Sequence, residues 1–592
     1  MKQFLKHVLA TVVGFVVVSL LVGFFSVFIL MGVAMGSSAP SVEKNTVLVV
    51  NLDGELSERA QNNPFGKFMG SPDNSIGLDN LLMAISHAKE NDNVKGLYLE
   101  AGDLSGATPA MLQELRDALV DFKESGKFVL SYGDSYTQGT YYLCSVADSV
   151  VINPQGMLDW KGMAMQTIFF KDLLEKVGVK MQVFKVGTYK SAVEPFISTE
   201  MSEANREQTM VYSSEVWNEM LADVSESRKI ETTTLNTLAD TTMMLCDAEM
   251  YMTEKLVDKL AYSDDVPKMI SSMMGLDDEE DYSTIGVDDM ASVASNKPKD
   301  DSGNVVAVYY AYGDIVDEAS TMGIAEEEIV SSKVIRDLEE LADDDDVKAV
   351  VLRVNSGGGS AYASEQIWHQ VMNIKSKKPI VVSMGGMAAS GGYYISCAAD
   401  WIVAEPTTLT GSIGIFGMVP DPSELINETL GVHSETVKTN EYSDFGGFFR
   451  SMNSGEQAAM QAYVNRGYEL FTKRCAEGRG MEQDSIKAIA EGRVWTGLHA
   501  KQLGLVDQLG GLDDAIEVAK KKAEIETCTV MNYPAKSNFM DQLSVDLKGD
   551  SYADAKLKQV LGDYYGVISL SKRMTNRSSV QAAMPYYYMF NM

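Results

Sequence analysis

The chain has 592 residues, which exceeds the usual size of a single hydrophobic core and predicts two or more domains. Its 83 acidic residues outnumber its 50 basic residues, giving a formal net charge of −33 that disfavours nucleic-acid binding. The five cysteines are scattered without a CxxC pair and no HExxH sequence is present, so neither a metal site nor a cofactor is predicted.

Residues 1–40 are predicted to form an N-terminal membrane anchor. Lys2 and Lys6 precede an apolar stretch from Val8 to Ala34. About 20 apolar residues span a bilayer, whereas the apolar region of a cleaved signal has about 7–15. Positive charge before the span predicts a single-pass protein with its N-terminus in the cytoplasm and its bulk outside. The segment VAMGSSA also resembles a cleavage site, so removal of the anchor is an alternative.

Sequence blocks that occur twice indicate a tandem duplication. Three pairs of blocks are separated by 252 to 259 residues: 45–56 and 304–316, 92–103 and 345–356, and 129–154 and 381–406. The pairs predict a first repeat at 41–275 and a second at 305–592. The acidic stretch at 276–304 is predicted to be a solvated linker between them.

Each repeat is predicted to have an α/β fold. Short runs rich in β-branched residues alternate with longer segments of helical periodicity, such as TPAMLQELRDALVDFKES and SEQIWHQVMNIKSK. Such alternation is typical of a largely parallel sheet. In these sheets ligands bind where strands end and glycine-rich turns begin, so the functional site is expected there.

Two candidate catalytic residues are each present in only one repeat. Ser390, in GGMAASGGYYIS, follows an apolar run, and an offset of 252 places Gln138 at the equivalent position of the first repeat. In the block GTYKSAVEPF, Lys190 aligns with Ser443 at an offset of 253. Each repeat therefore keeps one candidate that the other lacks.

A serine nucleophile needs a base within hydrogen-bond reach. The sequence AASGG resembles a G-x-S-x-G nucleophile turn, and His433 and His499 follow it, but neither histidine lies beside a recognisable acidic partner. Lys190 is the alternative base. Its flanking segment AVEPF is apolar enough to bury it, and a lysine must be desolvated to be neutral near pH 7.

Glycine-rich turns offer candidate donors for an oxyanion. NSGGGS directly follows the strand-like run VKAVVLRV, so the Gly358 N–H is predicted to face the site, together with the Gly391 N–H beside the serine. Ser412, in LTGSIGIFG, is predicted either to hydrogen-bond the lysine amine or to serve only as a turn residue.

Together these motifs resemble the signal peptide peptidase A (protease IV) family in its long, two-repeat form. The resemblance rests on LRVNSGGGS, MGGMAASGGYYIS, TGSIGI, GTYKSAVEPF and EGRVWTGLHAKQLGLVDQLGG, and it covers nearly everything after the anchor. It implies an N-terminal transmembrane helix followed by two tandem Clp-protease/crotonase-like α/β domains. It further implies a Ser–Lys dyad of Ser390 and Lys190, with Gly358 in the oxyanion loop and Ser412 beside the lysine. One departure is Gly357, which stands where the family usually has proline.

The resemblance also implies a function. A serine endopeptidase of this kind degrades released signal peptides and other apolar peptides at the outer face of the bacterial inner membrane. It implies a homotetramer with both dyad residues from one chain, although the residues alone also allow a pair formed between chains. The alternatives are a crotonase-like acyl-thioester enzyme and a catalytically inactive membrane-associated scaffold. The C-terminal MPYYYMF (584–590) is predicted either to pack at an interface or to be a disordered tail.

Overall fold

The computed structural model of the protein begins with a long helix, α1 (Lys2–Met35). Within the described part of the chain, none of the helices has the length and apolarity that crossing a membrane requires. The predicted anchor at 1–40 stays a prediction. The described residues are 2–35, 41–59, 75–276, 282–293, 302–319, 328–536, 580–584 and 589–590.

Strands and helices alternate through most of the described chain, which confirms the predicted α/β class. The strands are β1 (Thr46–Ser57), β2 (Ser75–Gly77), β3 (Val94–Ser105), β4 (Phe128–Tyr136), β5 (Ser149–Leu158), β6 (Met165–Gln166), β7 (Lys180–Lys185), β8 (Lys259–Leu260), β9 (Ser283–Gly286), β10 (Val305–Tyr312), β11 (Asp314–Val316), β12 (Glu328–Val330), β13 (Val347–Ser356), β14 (Gly358–Ser360), β15 (Ile380–Ala389), β16 (Trp401–Ala404), β17 (Leu409–Gly411), β18 (Phe416–Asp421), β19 (Val494–Thr496), β20 (Gln508–Leu509), β21 (Thr529–Tyr533), β22 (Val580–Ala583) and β23 (Met589–Phe590). The helices after α1 are α2 (Leu78–Glu90), α3 (Pro109–Lys123), α4 (Gln138–Cys144), α5 (Lys171–Lys176), α6 (Glu194–Ile197), α7 (Glu203–Arg228), α8 (Thr232–Ala239), α9 (Ala248–Thr253), α10 (Val266–Met274), α11 (Val287–Ser292), α12 (Ser331–Asp343), α13 (Ala361–Lys375), α14 (Gly391–Ser396), α15 (Ser454–Arg479), α16 (Gln483–Ile489), α17 (Gly497–Gln502) and α18 (Leu512–Lys522).

The first repeat is built on a parallel sheet covered on both faces. Its strands lie in the order β2-β1-β3-β4-β5-β8, with β9 also paired to β1, and these pairings are all parallel. Successive residues of a strand point to opposite faces. Accordingly Leu48 joins the core cluster that includes Leu81 of α2, while its neighbour Val47 joins a separate cluster with Ile270 of α10.

The second repeat has the same strand arrangement. Its central strands run β10-β13-β15-β16-β20, which matches β1-β3-β4-β5-β8, and β21 beside β10 matches β9 beside β1. Strand β10, with the sequence VVAVYYAY, is buried along its length except at its two ends. A parallel strand buried on both faces has such a continuous apolar run rather than an alternating one. The topology therefore agrees with the duplication predicted from the sequence blocks.

A third sheet joins the two repeats. Its strands lie in the order β12-β11-β14-β22-β18-β7, so β7 of the first repeat forms the edge of a sheet whose other members come from the second. Strands β7 and β18 are antiparallel, with Lys180 opposite Asp421 and Lys185 opposite Phe416. This pairing brings the chain that follows β7 against the second repeat.

Part of the stretch predicted as a linker is folded. Residues 282–293 carry β9 and α11 rather than an extended connection, because Ile285 and Met290 among the acidic residues are buried in the core of the first repeat. The rest of 276–304 lies almost wholly outside the described residues. The domain boundaries stay predictions.

Candidate active site

Ser390 lies at the sharp turn where β15 ends and α14 begins. Its backbone has φ +54° and ψ −112°, and its N–H donates to the carbonyl of Gly411 over 2.8 Å. A positive φ is uncommon for a residue other than glycine, and such conformations cluster at functional sites. The turn directs the hydroxyl inward, where Ser390 is fully buried.

The equivalent residue of the first repeat, Gln138, has a structural role. It is fully buried at the start of α4, and its amide oxygen accepts from the backbone N–H groups of Lys161 and Gly162 over 2.9 and 3.0 Å. Its amide nitrogen donates to the carbonyl of Gly162 over 3.2 Å. The side chain therefore holds a neighbouring loop where the second repeat has a hydroxyl.

Lys190 reaches Ser390 across the junction of the repeats. Its Nζ lies 2.7 Å from Ser390 Oγ, within the same chain. The amine also contacts Ser412 twice, at 3.1 Å from Oγ and 3.2 Å from the carbonyl oxygen. The structure thus brings together the three side chains singled out in the sequence, although they are separated by up to 222 residues.

Burial changes the acid–base chemistry of Lys190. The side chain is 1% exposed, and desolvation lowers its pKa to about 7. A lysine in water has a pKa of about 10.4 and is almost wholly protonated at neutral pH. A substantial fraction of the Lys190 amines is therefore neutral near pH 7 and able to accept a proton.

The loop carrying Lys190 is fixed to the second repeat by hydrogen bonds of residues that the sequence did not single out. The N–H of Tyr189 donates to the carbonyl of Glu491 over 3.0 Å, and the N–H of Thr188 donates to a Glu491 carboxylate oxygen over 3.2 Å. Gln208 of α7 donates to the carbonyl of Tyr189 over 3.1 Å and accepts from the N–H of Val494. The only signal for these contacts was the block EGRVW, which contains Glu491 and Val494.

Gly492 and Ser412 form the wall behind the lysine. Gly492 has φ +80°, and a methyl group built on it would lie 2.7 Å from Cβ of Lys190. Only glycine leaves room for the lysine stem at this distance. Ser412 also has a positive φ of 48°, and its N–H donates to the carbonyl of Arg493 over 2.7 Å.

The glycine loop lies beside the nucleophile turn. Gly358 has φ +99°, and a methyl group built on it would lie 2.5 Å from the backbone nitrogen of Gly391. The two glycines predicted as oxyanion donors are therefore neighbours in space. The Gly358 N–H donates to Ser356 Oγ over 3.1 Å, and that hydroxyl donates to the carbonyl of Gly313.

The two histidines considered as bases lie in other environments. His499 contacts a carboxylate oxygen of Glu215 over 3.0 Å and packs against the ring of Trp495. His433 is exposed on an irregular segment. Among the residues that the structure describes, no group of three or more His, Cys, Asp and Glu side chains is arranged to hold a metal ion.

Comparison with known families identifies the chain. The family model "Peptidase family S49" matches residues 121–277 and 373–526, which together make up more than half of the sequence and include both dyad candidates. The chain belongs to peptidase family S49. This S49 chain carries the family match once in each repeat, which confirms the family predicted from the motifs.

Individual relatives of this S49 chain bear protease names. "Protease 4" of Salmonella typhi is 39% identical over 480 residues, covering 80% of this chain and 76% of the relative. "Protease 4" of Haemophilus influenzae is 34% identical over 514 residues, covering 83% of each chain. "Serine protease SPPA, chloroplastic" of Arabidopsis thaliana is 28% identical over 486 residues, covering 82% of this chain and 70% of that protein.

The Clp-like fold of the S49 chain is also supported by a family model. "Clp protease" matches residues 307–404, the part of the second repeat that contains the glycine loop and Ser390. A solved ClpP1 structure from Listeria monocytogenes covers 36% of this chain and 95% of its own, with 18% identity and a TM-score of 0.24. The fold assignment does not rest on that structure.

Proposed function

We propose that this S49 protease is a serine endopeptidase that uses a Ser–Lys dyad, with Ser390 as nucleophile and Lys190 as general base. The proposal rests on one observation, the 2.7 Å contact between Nζ of Lys190 and Oγ of Ser390 in a fully buried site. A serine hydroxyl is activated by a base at this distance. Burial supplies the second requirement, because it lowers the pKa of the amine to about 7.

In the proposed reaction, neutral Lys190 accepts the hydroxyl proton of Ser390 as Oγ bonds to the scissile carbonyl carbon. The negative charge that develops on the carbonyl oxygen is stabilised by the N–H of Gly391. The N–H of Gly358 contributes once it exchanges its hydrogen bond to Ser356 Oγ for one to this oxygen. Protonated Lys190 then gives its proton to the leaving amine as the peptide bond breaks. Water attacks the resulting ester of Ser390 by the same route, releasing the acid and restoring the hydroxyl.

Ser412 positions the base in this mechanism. Its hydroxyl and carbonyl lie 3.1 and 3.2 Å from the Lys190 amine. These two contacts orient the amine of Lys190 toward Ser390 Oγ. Ser412 is a positioning residue, since it contacts the base rather than the reacting carbonyl.

We propose further that the substrates are apolar peptides, including released signal peptides, cut at the outer face of the inner membrane. A relative from Enterococcus faecium, 35% identical over 222 residues, is named "Putative signal peptide peptidase SppA". The apolar stretch from Val8 to Ala34 supports anchoring at 1–40 with the N-terminus in the cytoplasm. A homotetramer is the proposed assembly, by resemblance to the family.

A fluorophosphonate probe, which labels activated serines covalently, tests the dyad. The unaltered chain is expected to be labelled, and the Ser390→Ala variant is expected to show no labelling. In the Lys190→Ala variant the labelling rate is expected to fall by at least about 100-fold, which is the usual contribution of a general base. Lys185→Ala is the matched control, because Lys185 lies on the adjacent strand β7 without contacting Ser390. Unchanged labelling in Lys190→Ala would exclude the dyad. Absence of labelling in the unaltered chain would favour an inactive scaffold or an acyl-thioester enzyme.

A further inference from the structure

A short segment near the C-terminus, Val580–Met584, lies across the candidate active site. Its strand β22 lies between β14, which carries the glycine loop, and β18. Both pairings are antiparallel, with Gly358 opposite Ala583 on one side and Phe416 opposite Gln581 on the other. The N–H of Met584 continues the first pairing by donating to the carbonyl of Gly357 over 2.8 Å.

The segment is in direct contact with the turn that carries the nucleophile. A methyl group built on Gly391 would lie 3.0 Å from the carbonyl oxygen of Ala582, and one built on Gly358 would collide with the same oxygen. A main-chain carbonyl of the segment therefore lies beside both proposed oxyanion donors. Met584 shares a buried cluster with Ala389, the residue before Ser390.

The segment is bound as an extended peptide. It is held through main-chain pairing on both edges, and its residues Val580, Gln581, Ala582, Ala583 and Met584 are all buried. Addition of a strand to an exposed sheet edge is a common way to bind a peptide, because the main-chain bonds give affinity without requiring a particular sequence. The side chains of Ala582 and Ala583 are buried in two separate hydrophobic clusters of the protein.

We propose that Val580–Met584 occupies the peptide-binding site of its own chain and competes with substrate for it. The proposal rests on the dyad proposed above, because the site is defined by Ser390 and its neighbouring glycines. In the resting protein the segment fills the groove between β14 and β18. A substrate peptide gains access by displacing it and pairing with the same two strands.

Two matched truncations test the competition. A chain ending at Ser579 lacks the segment, whereas a chain ending at Met584 retains it. While the segment occupies the groove, the probe reacts only with the fraction of molecules whose groove is open. Removal of the segment is therefore expected to raise the rate of fluorophosphonate labelling by about tenfold or more. The chain ending at Met584 is expected to react like the full chain. Equal rates in the two truncated chains, both folded by circular dichroism, would overturn the proposal.

A synthetic peptide of residues 579–586 gives a second readout that does not depend on how a truncated chain folds. A fluorescent version is expected to bind the chain ending at Ser579 and to slow its labelling competitively. The same peptide with Ala582→Trp is the control, and it should bind at least about tenfold more weakly because the Ala582 side chain is fully buried in a packed cluster. Equal binding of the two peptides, or binding of neither, would overturn the proposal.

The same measurements separate this proposal from the dyad. If no form of the chain is labelled, the dyad fails, and peptide binding measured by fluorescence anisotropy still decides whether the groove accepts the segment. If labelling occurs and requires Ser390, but the peptide of the segment neither binds nor slows the labelling, then the dyad stands and only the proposed competition is rejected. In the full chain, Ala582→Trp is expected to expel the segment and speed labelling as truncation does.

Discussion

At the residue scale, the main feature is a buried lysine, Lys190, that has no carboxylate partner among the described residues. Desolvation is the cause of its lowered pKa, and its polar neighbours are the hydroxyls of Ser390 and Ser412 and one carbonyl oxygen. A nearby carboxylate would favour the charged form and raise the pKa. The site therefore keeps the amine available as a base near neutral pH.

The first prediction concerns the dependence of rate on pH. Lys190 acts as a base only when neutral, so kcat/KM for a peptide substrate is expected to rise with pH, pass its midpoint at about pH 7 and level off above about pH 8. An exposed lysine would give a midpoint near pH 10 instead. Steady-state hydrolysis of a fluorogenic peptide between pH 5 and 10 measures the profile. A rate still increasing at pH 9 would contradict a buried neutral base.

A second prediction concerns the glycine that backs the base. Gly492→Ala adds a methyl group 2.7 Å from Cβ of Lys190, so the lysine must shift and labelling is expected to fall by at least about 100-fold. Gly480→Ala is the matched control. Gly480 also has a positive φ, of 62°, but among the described residues no heavy atom would lie within 4 Å of its added methyl group.

Both glycine variants carry similar backbone strain, of about 1 kcal/mol. If both variants lose similar stability but only Gly492→Ala loses labelling, the loss of labelling in that variant acts through displacement of Lys190. Equal labelling of the two variants would contradict the predicted contact. Thermal unfolding of each variant provides the stability measurement.

The residues proposed to perform the chemistry were easier to predict than those that hold them. Ser390 and Lys190 were found because each is missing from the equivalent position of the other repeat. Gln208 and Glu491 were missed, because they act through hydrogen bonds to the backbone of a loop distant in sequence. No local pattern marks a glutamine on a helix as the partner of such a loop.

At the element scale, strand β13 of the second repeat is tied to the first repeat by a buried charged cluster. Arg353 is 1% exposed, and its guanidinium contacts Glu58 at 3.0 Å and Glu114 at 2.5 Å. Glu58 follows β1 and Glu114 lies on α3, so both carboxylates belong to the first repeat. Burial raises the pKa of Glu58, while the nearby arginine opposes this shift.

A third prediction follows from that cluster. Arg353→Met leaves two buried carboxylates without their cation, and removal of one partner from a buried ion pair costs about 3–5 kcal/mol of unfolding free energy. Arg336→Met is the control, because Arg336 is 64% exposed in its pair with Asp337 and is expected to cost less than about 1 kcal/mol. Urea denaturation measures both variants. Similar losses in the two would contradict a stabilising role for the buried cluster.

The strand pairings that the sequence did not predict join segments that are far apart in the chain. Periodicity predicted the repeated parallel sheets, because continuous apolar runs such as VVAVYYAY are typical of strands buried on both faces. It did not predict the sheet shared by the repeats, in which β7 pairs with a strand more than 230 residues later. It also left MPYYYMF open. Its first residue, Met584, is buried, 589–590 pair with β6, and the remaining residues lie outside the described chain.

At the scale of the whole molecule, one chain contains both members of the proposed dyad. Lys190 comes from the first repeat and Ser390 from the second, and they meet within one chain. The residues alone also allowed a pair formed between neighbouring chains, whereas the family resemblance implied a pair within one chain. The antiparallel pairing of β7 with β18 explains the intramolecular arrangement, because it carries the lysine loop into the second repeat.

A fourth prediction tests this arrangement. Chains carrying Ser390→Ala and chains carrying Lys190→Ala are coexpressed with different affinity tags, and complexes holding both are purified. Each chain still lacks one member of its own dyad, so the mixture is expected to show no more labelling than the variants alone. Labelling above that level would mean that a serine of one chain is activated by a lysine of another.

The position of the two residues along the chain has a consequence for biosynthesis. A chain is made from its N-terminus, and domains generally fold in that order. Lys190, the proposed base, is therefore synthesised 200 residues before Ser390, the proposed nucleophile, and Gly492 follows about a hundred residues later. A nascent chain therefore lacks the complete site until translation has passed Gly492. The segment at 580–584 is translated about 190 residues after Ser390, so the groove is filled only after the site is complete.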